Sequence, residues 1–278
     1  MAKNVLATDC KRLFMMLVLG MICYLRIAWV AAHSDSAFHT NGDWHSLRKG
    51  FQLTHHYEHK AVALELSRFS QHYFNRLRSR ITAHQAFINS KVNGRSLPAE
   101  LALVPLIESA LDGEAISPAK AVGFWQFMPA TARAYGLKVT STYDGRKDLI
   151  GATDAALNLL QALYNETGDW LLAIAAYNVG ARRVHKAVAN ARGDTPDFWK
   201  LSLPRETRKF VARLLALSRV ISAPEQHGLN LPELCPNHKL QTDIRNQDSC
   251  CVDIAREIKK VSRIKALDIQ RQAFSPPH

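Results

Sequence analysis

A chain of 278 residues with 47% hydrophobic residues can bury one full core, with length left over for a leader and a tail. Its formal net charge of +12 favours contact with an anionic partner such as nucleic acid, phospholipid headgroups or a carboxylate-bearing polymer. Charge alone does not choose among these partners. Composition excludes a disulfide framework, because two of the five cysteines, Cys10 and Cys23, lie in the leader. At most one bridge can form among Cys235, Cys250 and Cys251.

The N-terminus resembles an export signal. Lys11 and Arg12 precede an uncharged run from Leu13 to Leu25 that has the length of a signal-peptide core. Val30 and the alanines after it suit signal-peptidase cleavage, whereas an apolar stretch continued to residue 32 would nearly span a bilayer. We therefore expect residues 1–32 to be a signal peptide or a signal anchor, with a buried core helix as the remaining alternative.

Export places the rest of the chain in the periplasm, released or anchored in the inner membrane. The leader carries four basic residues and one acidic residue, a net +3, so the exported part keeps +9 of the chain's +12. Peptidoglycan stem peptides and anionic lipid headgroups are the negative partners in that compartment, and we expect no nucleic-acid partner.

A helical arm is expected over residues 33–95. Apolar residues recur at three-to-four spacing from Glu58 to about Lys91, which predicts one long amphipathic helix. Before it, His55 and His59 lie one helical turn apart and raise the alternative of a metal site. Spacing supplies no further ligand, so a hydrated helix start is favoured and no metal is expected.

Residues 96–225 are predicted to form a predominantly helical catalytic domain. Pro98 suits a helix start, Glu108 lies near that helix's end, and Pro105 should kink or loosen it. Asp148 and Asp169 can cap two further helices, the first ending near Gly168, and two more helices follow. Only residues 138–143 read as extended, enough for a small β-hairpin. The basic tail, 226–278, is assigned no chemistry.

Glu108 is the candidate acid. Cleavage of a glycosidic bond needs a proton on the leaving oxygen, and a carboxyl group with apolar surroundings can supply one at neutral pH. Glu108 follows Leu106 and Ile107, which supply such surroundings. A glutamate at a helix end is more often a solvated surface residue, so the motifs downstream decide the interpretation.

Those motifs occur in a fixed order: Glu108-Ser109, then Ser117-Pro118, then residues 123–127 reading GFWQF, then Ala176-Tyr177-Asn178. Together they resemble the lytic transglycosylases of bacterial cell walls, and the membrane-bound lytic transglycosylase D branch in particular. Further stretches of the same branch are similar here, namely residues 97–101, 128–131, 135–137 and 169–172. The resemblance covers roughly residues 97–221.

The resemblance implies a lysozyme-like fold, mostly α with a small β part, and a cleft for glycan strands. Glu108 would protonate the bond from N-acetylmuramic acid to N-acetylglucosamine, and its carboxylate would then accept the proton of the muramoyl C6 hydroxyl. That hydroxyl attacks the anomeric carbon and leaves a 1,6-anhydro end. An internal nucleophile has a high effective molarity, so neither a second carboxylate nor a cofactor is needed.

The resemblance also implies that Ser117 and Gln126 hold the sugar, that Tyr177 orients Glu108, and that Asn178 binds substrate. Plainer alternatives remain for these positions: Ser117 can shape a turn, and Tyr177 can bond a backbone group. Trp125 and Phe127 can likewise be core aromatics. Phe210 stands where the family commonly has tyrosine, so it is not counted as a catalytic residue.

Two other functions compete with this one. A hydrolytic lysozyme would use Glu108 with Asp112 as the carboxylate that activates water, given a suitable separation between the two. A glycan-binding scaffold without turnover is the alternative of a different class, and the intact Glu108, Gln126 and Tyr177 argue against it.

Overall fold

The computed structural model describes residues 43–191 and 197–234. Within these ranges lie nine α-helices and six short 3₁₀-helices. The α-helices are α1 (Trp44–Lys49), α2 (Lys60–Ala63), α3 (Gln71–Asn93), α4 (Val104–Glu108), α5 (Pro129–Ala134), α6 (Leu149–Thr167), α7 (Trp170–Val179), α8 (Ala181–Ala189) and α9 (Arg205–Ser222). The 3₁₀-helices are Thr54–His56, Leu66–Arg68, Ala99–Leu103, Gly145–Lys147, Phe198–Lys200 and Pro224–His227.

The predominantly helical fold predicted from the sequence is confirmed. Pairing between extended segments is limited, in the described residues, to three isolated antiparallel bridges. One of them, Val139 with Asp144, lies where the hairpin was predicted, and it is a single bridge rather than a pair of strands. The leader, the three cysteines after it and most of the tail lie outside the described residues.

The prediction of one long helix from Glu58 to Lys91 was wrong. The chain instead forms short turns up to Phe69, and α3 begins at Gln71 after Ser70, whose hydroxyl accepts a hydrogen bond from the N–H of Tyr73. Most of the apolar positions behind the prediction are nevertheless buried. Helical spacing identified which side chains face the core, but a local cap decided where the helix starts.

The predicted caps of α6 and α7 are confirmed. Asp148 accepts from the N–H of Gly151, and Asp169 accepts from the N–H of Leu172. α6 ends at Gly168, which adopts a left-handed conformation with φ of 68°. Such ends are favoured at glycine because it has no Cβ to clash.

Helix α7 lies at the centre of the core. Its residues 171–176 are all buried, and it packs against α6, α8 and α9. α9 in turn contacts α4 and the short elements near the N-terminus of the described part. Helices α4 and α7 thus both pack against α9.

None of the helices in residues 43–191 and 197–234 combines the length and the hydrophobicity needed to cross a membrane. The apolar run at Leu13–Leu25 is not among these residues.

Candidate active site

Glu108 is the last residue of α4, as the sequence predicted. The helix is held by buried residues at its start, and Pro105 occupies its first turn, where a missing N–H does no harm. The irregularity expected from this proline lies before it, as the 3₁₀-helix Ala99–Leu103. The carbonyl of Pro105 accepts from the N–H groups of both Ser109 and Leu111, at 3.1 Å each, and this closes the helix directly after Glu108.

The backbone turns sharply after the helix. Ala110 and Leu111 have φ of 56° and 57°, a left-handed conformation that costs a residue with a side chain roughly 1–2 kcal/mol. Leu111 is almost fully buried, and its packing offsets this strain. The chain therefore changes direction two residues after Glu108, the last residue of the helix.

The carboxyl group of Glu108 has the electrostatics of a general acid. Burial raises its pKa from 4.5 to about 7, and the nearby positive charge of Arg213 acts in the opposite direction. No hydrogen bond or ion pair joins this carboxyl group to any other described residue. A group that titrates near neutral pH can both give and take a proton under physiological conditions.

Residues 115–128 form a small ribbon that carries two of the predicted substrate ligands. Ile116 pairs with Val122, and Val122 pairs with Phe127, so three short extended segments lie side by side. Ser117 follows Ile116 of the first segment, and Gln126, with φ of 49°, ends the turn that precedes Phe127. The ribbon brings together two motifs that are nine residues apart in the chain.

Both of these predicted ligands also hold the ribbon together. The hydroxyl of Ser117 accepts from the N–H of Ala121 at 2.9 Å, which matches the turn-shaping alternative. The side-chain amide of Gln126 donates to the carbonyls of Ala115 and Gly123, at 3.3 and 2.9 Å. These two acceptors leave the Oε1 atom of Gln126 as the group that can accept from a ligand.

Tyr177 is close to Glu108 but is bonded elsewhere. Its hydroxyl donates to the backbone carbonyl of Trp125 at 2.6 Å, as the plainer alternative for this residue had it. Burial raises the pKa of Tyr177 well above its usual value, and the negative charge of Glu108 raises it further. Asn178, the next residue, is exposed at the end of α7. The tyrosine therefore fixes the Gly123–Phe127 loop beside Glu108.

Sequence reasoning missed three residues that shape this region. Ser109 donates to the carbonyl of Phe124 at 2.9 Å and so ties the end of α4 to the ribbon. Arg146, which is 7% exposed, donates to the carbonyls of Lys120 and Phe127 at 3.1 Å each. The positive charge of Arg213, on α9, lowers the pKa of Glu108 against the effect of burial. Only Ser109 lay in a recognised motif, and the other two act across long sequence separations that no local pattern reveals.

The sequence pattern of the "Transglycosylase SLT domain" matches residues 85–199 of this chain. Membrane-bound lytic murein transglycosylase D of Escherichia coli (strain K12) is 45% identical over 163 residues, which are 58% of this chain and 36% of that protein. A putative tributyltin chloride resistance protein of Alteromonas sp. (strain M-1) is 38% identical over 141 residues, 50% of this chain and 68% of that one. The chain belongs to the transglycosylase SLT family.

The chain spans little more than a third of the Escherichia coli relative. Among solved structures, an inactive glutamate-to-glutamine mutant of lytic transglycosylase Slt from Pseudomonas aeruginosa is 25% identical, with a TM-score of 0.40. That match covers 57% of this chain and 26% of the other.

Three aromatic residues of the SLT-family motifs lie in the core. Trp125 is fully buried and donates to the hydroxyl of Thr153 at 3.0 Å, and Phe127 is 2% exposed. Phe210, at the position where the family commonly has tyrosine, is 5% exposed on α9. These three rings are therefore part of the core and not of an exposed sugar-binding surface.

Asp112, the residue that a hydrolytic mechanism would need, is already occupied at both carboxylate oxygens. Its Oδ2 atom lies 2.8 Å from Nη2 of Arg80, and its Oδ1 atom accepts from the N–H of Glu114 at 2.9 Å. These contacts hold the carboxylate in a structural role at the turn after α4. They do not favour Asp112 as the base that activates water.

The histidines near residue 55 have structural contacts. Nδ1 of His59 accepts from the N–H of Ala61, which caps α2, and its ring stacks on Trp199 with centroids 4.0 Å apart. Throughout residues 43–191 and 197–234, no group of three or more histidine, cysteine or acidic side chains is arranged to hold a metal ion.

We expect Tyr177→Phe to lower the free energy of unfolding by about 1–3 kcal/mol, because the buried carbonyl of Trp125 loses its donor. Urea denaturation measures this change. Tyr135→Phe is the matched control, since the Tyr135 hydroxyl makes no hydrogen bond to described residues, and it should change stability by less than about 0.5 kcal/mol. Equal stability of the Tyr177→Phe variant and the unmutated protein would show that the bond contributes nothing.

Proposed function

We propose that this chain is a peptidoglycan lytic transglycosylase that cleaves the β-1,4 bond from N-acetylmuramic acid to N-acetylglucosamine and forms 1,6-anhydromuramoyl ends. The observation that carries the proposal is Glu108, a half-buried carboxyl group with its pKa raised to about 7. It stands at the end of α4 among the ordered motifs of the SLT family.

The proposed reaction has two proton transfers at this one group. Protonated Glu108 gives its proton to the glycosidic oxygen as the bond to the anomeric carbon breaks. The resulting carboxylate takes the proton of the muramoyl C6 hydroxyl, whose oxygen forms the new bond to the same carbon. Glu108 returns to its protonated state, and water takes no part.

The proposed substrate ligands are Ser117, Gln126 and Asn178. Gln126 offers its Oε1 atom to the sugar, because its amide N–H groups are held by backbone carbonyls. Ser117 holds the ribbon turn through its hydroxyl, and Asn178 offers an exposed amide near the end of α7. Tyr177 acts through the carbonyl of Trp125, so it orients the loop that faces Glu108.

The proposal also covers location and organisation. Residues 1–32 direct the chain across the inner membrane, residues 96–225 form the catalytic domain, and glycan strands are the partner. The match to the transglycosylase SLT domain and the basic charge of the chain support this assignment. The reaction as written requires no cofactor or metal.

Digestion of purified peptidoglycan in ¹⁸O-water tests the proposed reaction. We expect anhydro ends with no incorporated label, because the nucleophile is a hydroxyl of the sugar itself. Mass spectrometry distinguishes these ends from hydrolysed ends, which are one water heavier and carry one labelled oxygen. Label at most new ends would assign the chain to the hydrolytic lysozymes, and binding without new ends would support the scaffold alternative.

A further inference from the structure

Arg213 is an arginine of α9 that lies largely inside the protein. Its side chain is 24% exposed, with Nε 3.3 Å from Oε2 of Glu65 and Nη2 3.6 Å from Oε1 of Glu206. Two carboxylates from different parts of the chain thus hold one guanidinium. A cation restrained in this way keeps a fixed position, unlike a mobile surface arginine.

Glu65 does not neutralise this cation fully. Its carboxylate, with 7% side-chain exposure, also pairs with Arg68 at 2.6 Å, so one negative charge faces two positive charges. Glu206 is 74% exposed, and a solvated carboxylate at 3.6 Å screens little of the charge on its partner. The positive charge of Arg213 is therefore only partly balanced by these two carboxylates.

The positive charge of Arg213 acts on Glu108. Helix α9 packs against α4, and the positive charge of Arg213 opposes the rise that burial causes in the pKa of Glu108. Titratable groups on other elements near this site are Tyr177 from α7, Tyr73 from α3, whose hydroxyl donates to the carbonyl of Leu106, and Glu100. Glu100 lies on the 3₁₀-helix that packs against α4, and its carboxyl group accepts from the N–H groups of Gln52 and Leu53. Burial raises the pKa of both tyrosines, so both are neutral near pH 7.

We propose that Arg213 is a positioning residue of this site: fixed by Glu65, it stabilises the carboxylate form of Glu108 that must accept the C6 proton in the second half of the reaction. The inference rests on the proposed function for this catalytic role. Both Arg213 and Glu65 lie outside residues 85–199, the segment that matches the SLT family pattern. A group that acts first as acid and then as base works best when neither form is strongly disfavoured.

Direct titration of Glu108 tests the electrostatic part without any activity measurement. We would label the glutamate carboxyl carbons with ¹³C, assign the Glu108 signal by its loss in Glu108→Gln, and follow it with pH. In Arg213→Gln the midpoint should move upward by on the order of one pH unit, because a neighbouring cation is lost. Arg213→Lys, which keeps the charge, should restore most of the shift.

Arg219→Gln is the matched control, because it removes one positive charge from the same helix. Arg219 pairs with Glu58 and donates to the carbonyl of Tyr57, away from the candidate site. An equal shift in Arg219→Gln, or none in Arg213→Gln, overturns the proposal. Circular dichroism establishes that each variant is folded before its titration is compared.

The activity profile tests the catalytic part. The falling limb of kcat against pH should move upward in Arg213→Gln together with the titration, while KM changes little. A titration shift without a change in the limb would overturn the catalytic role of Arg213 and leave its electrostatic role intact. If neither the unmutated protein nor any variant releases anhydro ends, the proposed function is wrong. The titration result would still hold in that case.

Discussion

Glu108→Gln should lower kcat for release of anhydromuramoyl ends by about 10²- to 10⁴-fold, the range typical for loss of a general acid and base. Glutamine keeps the shape of the side chain but can neither donate the proton to the leaving oxygen nor take one from the C6 hydroxyl. Glycan binding should be retained. Product release from purified peptidoglycan and a separate binding measurement check the two statements.

Stability gives this variant an internal check. Because burial raises the pKa of Glu108 above its ordinary value, the group favours folding most when protonated, below about pH 4.5, and this contribution is lost as pH rises through about 7. The neutral amide avoids that loss, so Glu108→Gln should be no less stable than the unmutated protein at pH 8. Glu114→Gln, an exposed acid six residues on, is the control and should keep full activity. A folded Glu108→Gln variant with near-normal turnover would assign the proton to another residue.

Gly123→Ala should destabilise the protein on the order of 4 kcal/mol, an unusually large effect for one added methyl group. Gly123 has φ of 83°, and a Cβ atom there would overlap the carbonyl oxygen of Arg146 and lie 2.7 Å from its carbonyl carbon. Arg146 cannot move aside easily, because its side chain is bonded to Asp144 and to the carbonyls of Lys120 and Phe127. Thermal and urea unfolding measure the loss.

Gly136→Ala separates the clash from the backbone conformation. Gly136 has nearly the same φ, 82°, but nothing lies within 4 Å of the position a Cβ atom would take. It should therefore lose only the roughly 1–2 kcal/mol that a left-handed alanine costs. Similar losses in the two variants would show that close packing against Arg146 is not what requires glycine at position 123.

The sequence by itself determined the features that depend on near neighbours in the chain. Asp148 and Asp169 capped their helices as predicted, because a cap needs only a side-chain oxygen and backbone N–H groups two or three residues on. Gly168 ended α6 for an equally local reason. The place of Glu108 at a helix end followed from the same kind of pattern, and the ordered motifs indicated the family.

The tertiary structure decided everything that depends on residues far apart in the chain. Helical spacing did not reveal that the segment before Gln71 breaks into turns, where Glu65 pairs both with Arg68 and with the distant Arg213 of α9. Tyr177 was expected beside Glu108, but its hydrogen-bond partner, the carbonyl of Trp125, is a backbone group that no motif identifies. The pKa of Glu108 is likewise a product of packing: burial by several elements and one distant arginine set it together, and neither is encoded next to residue 108.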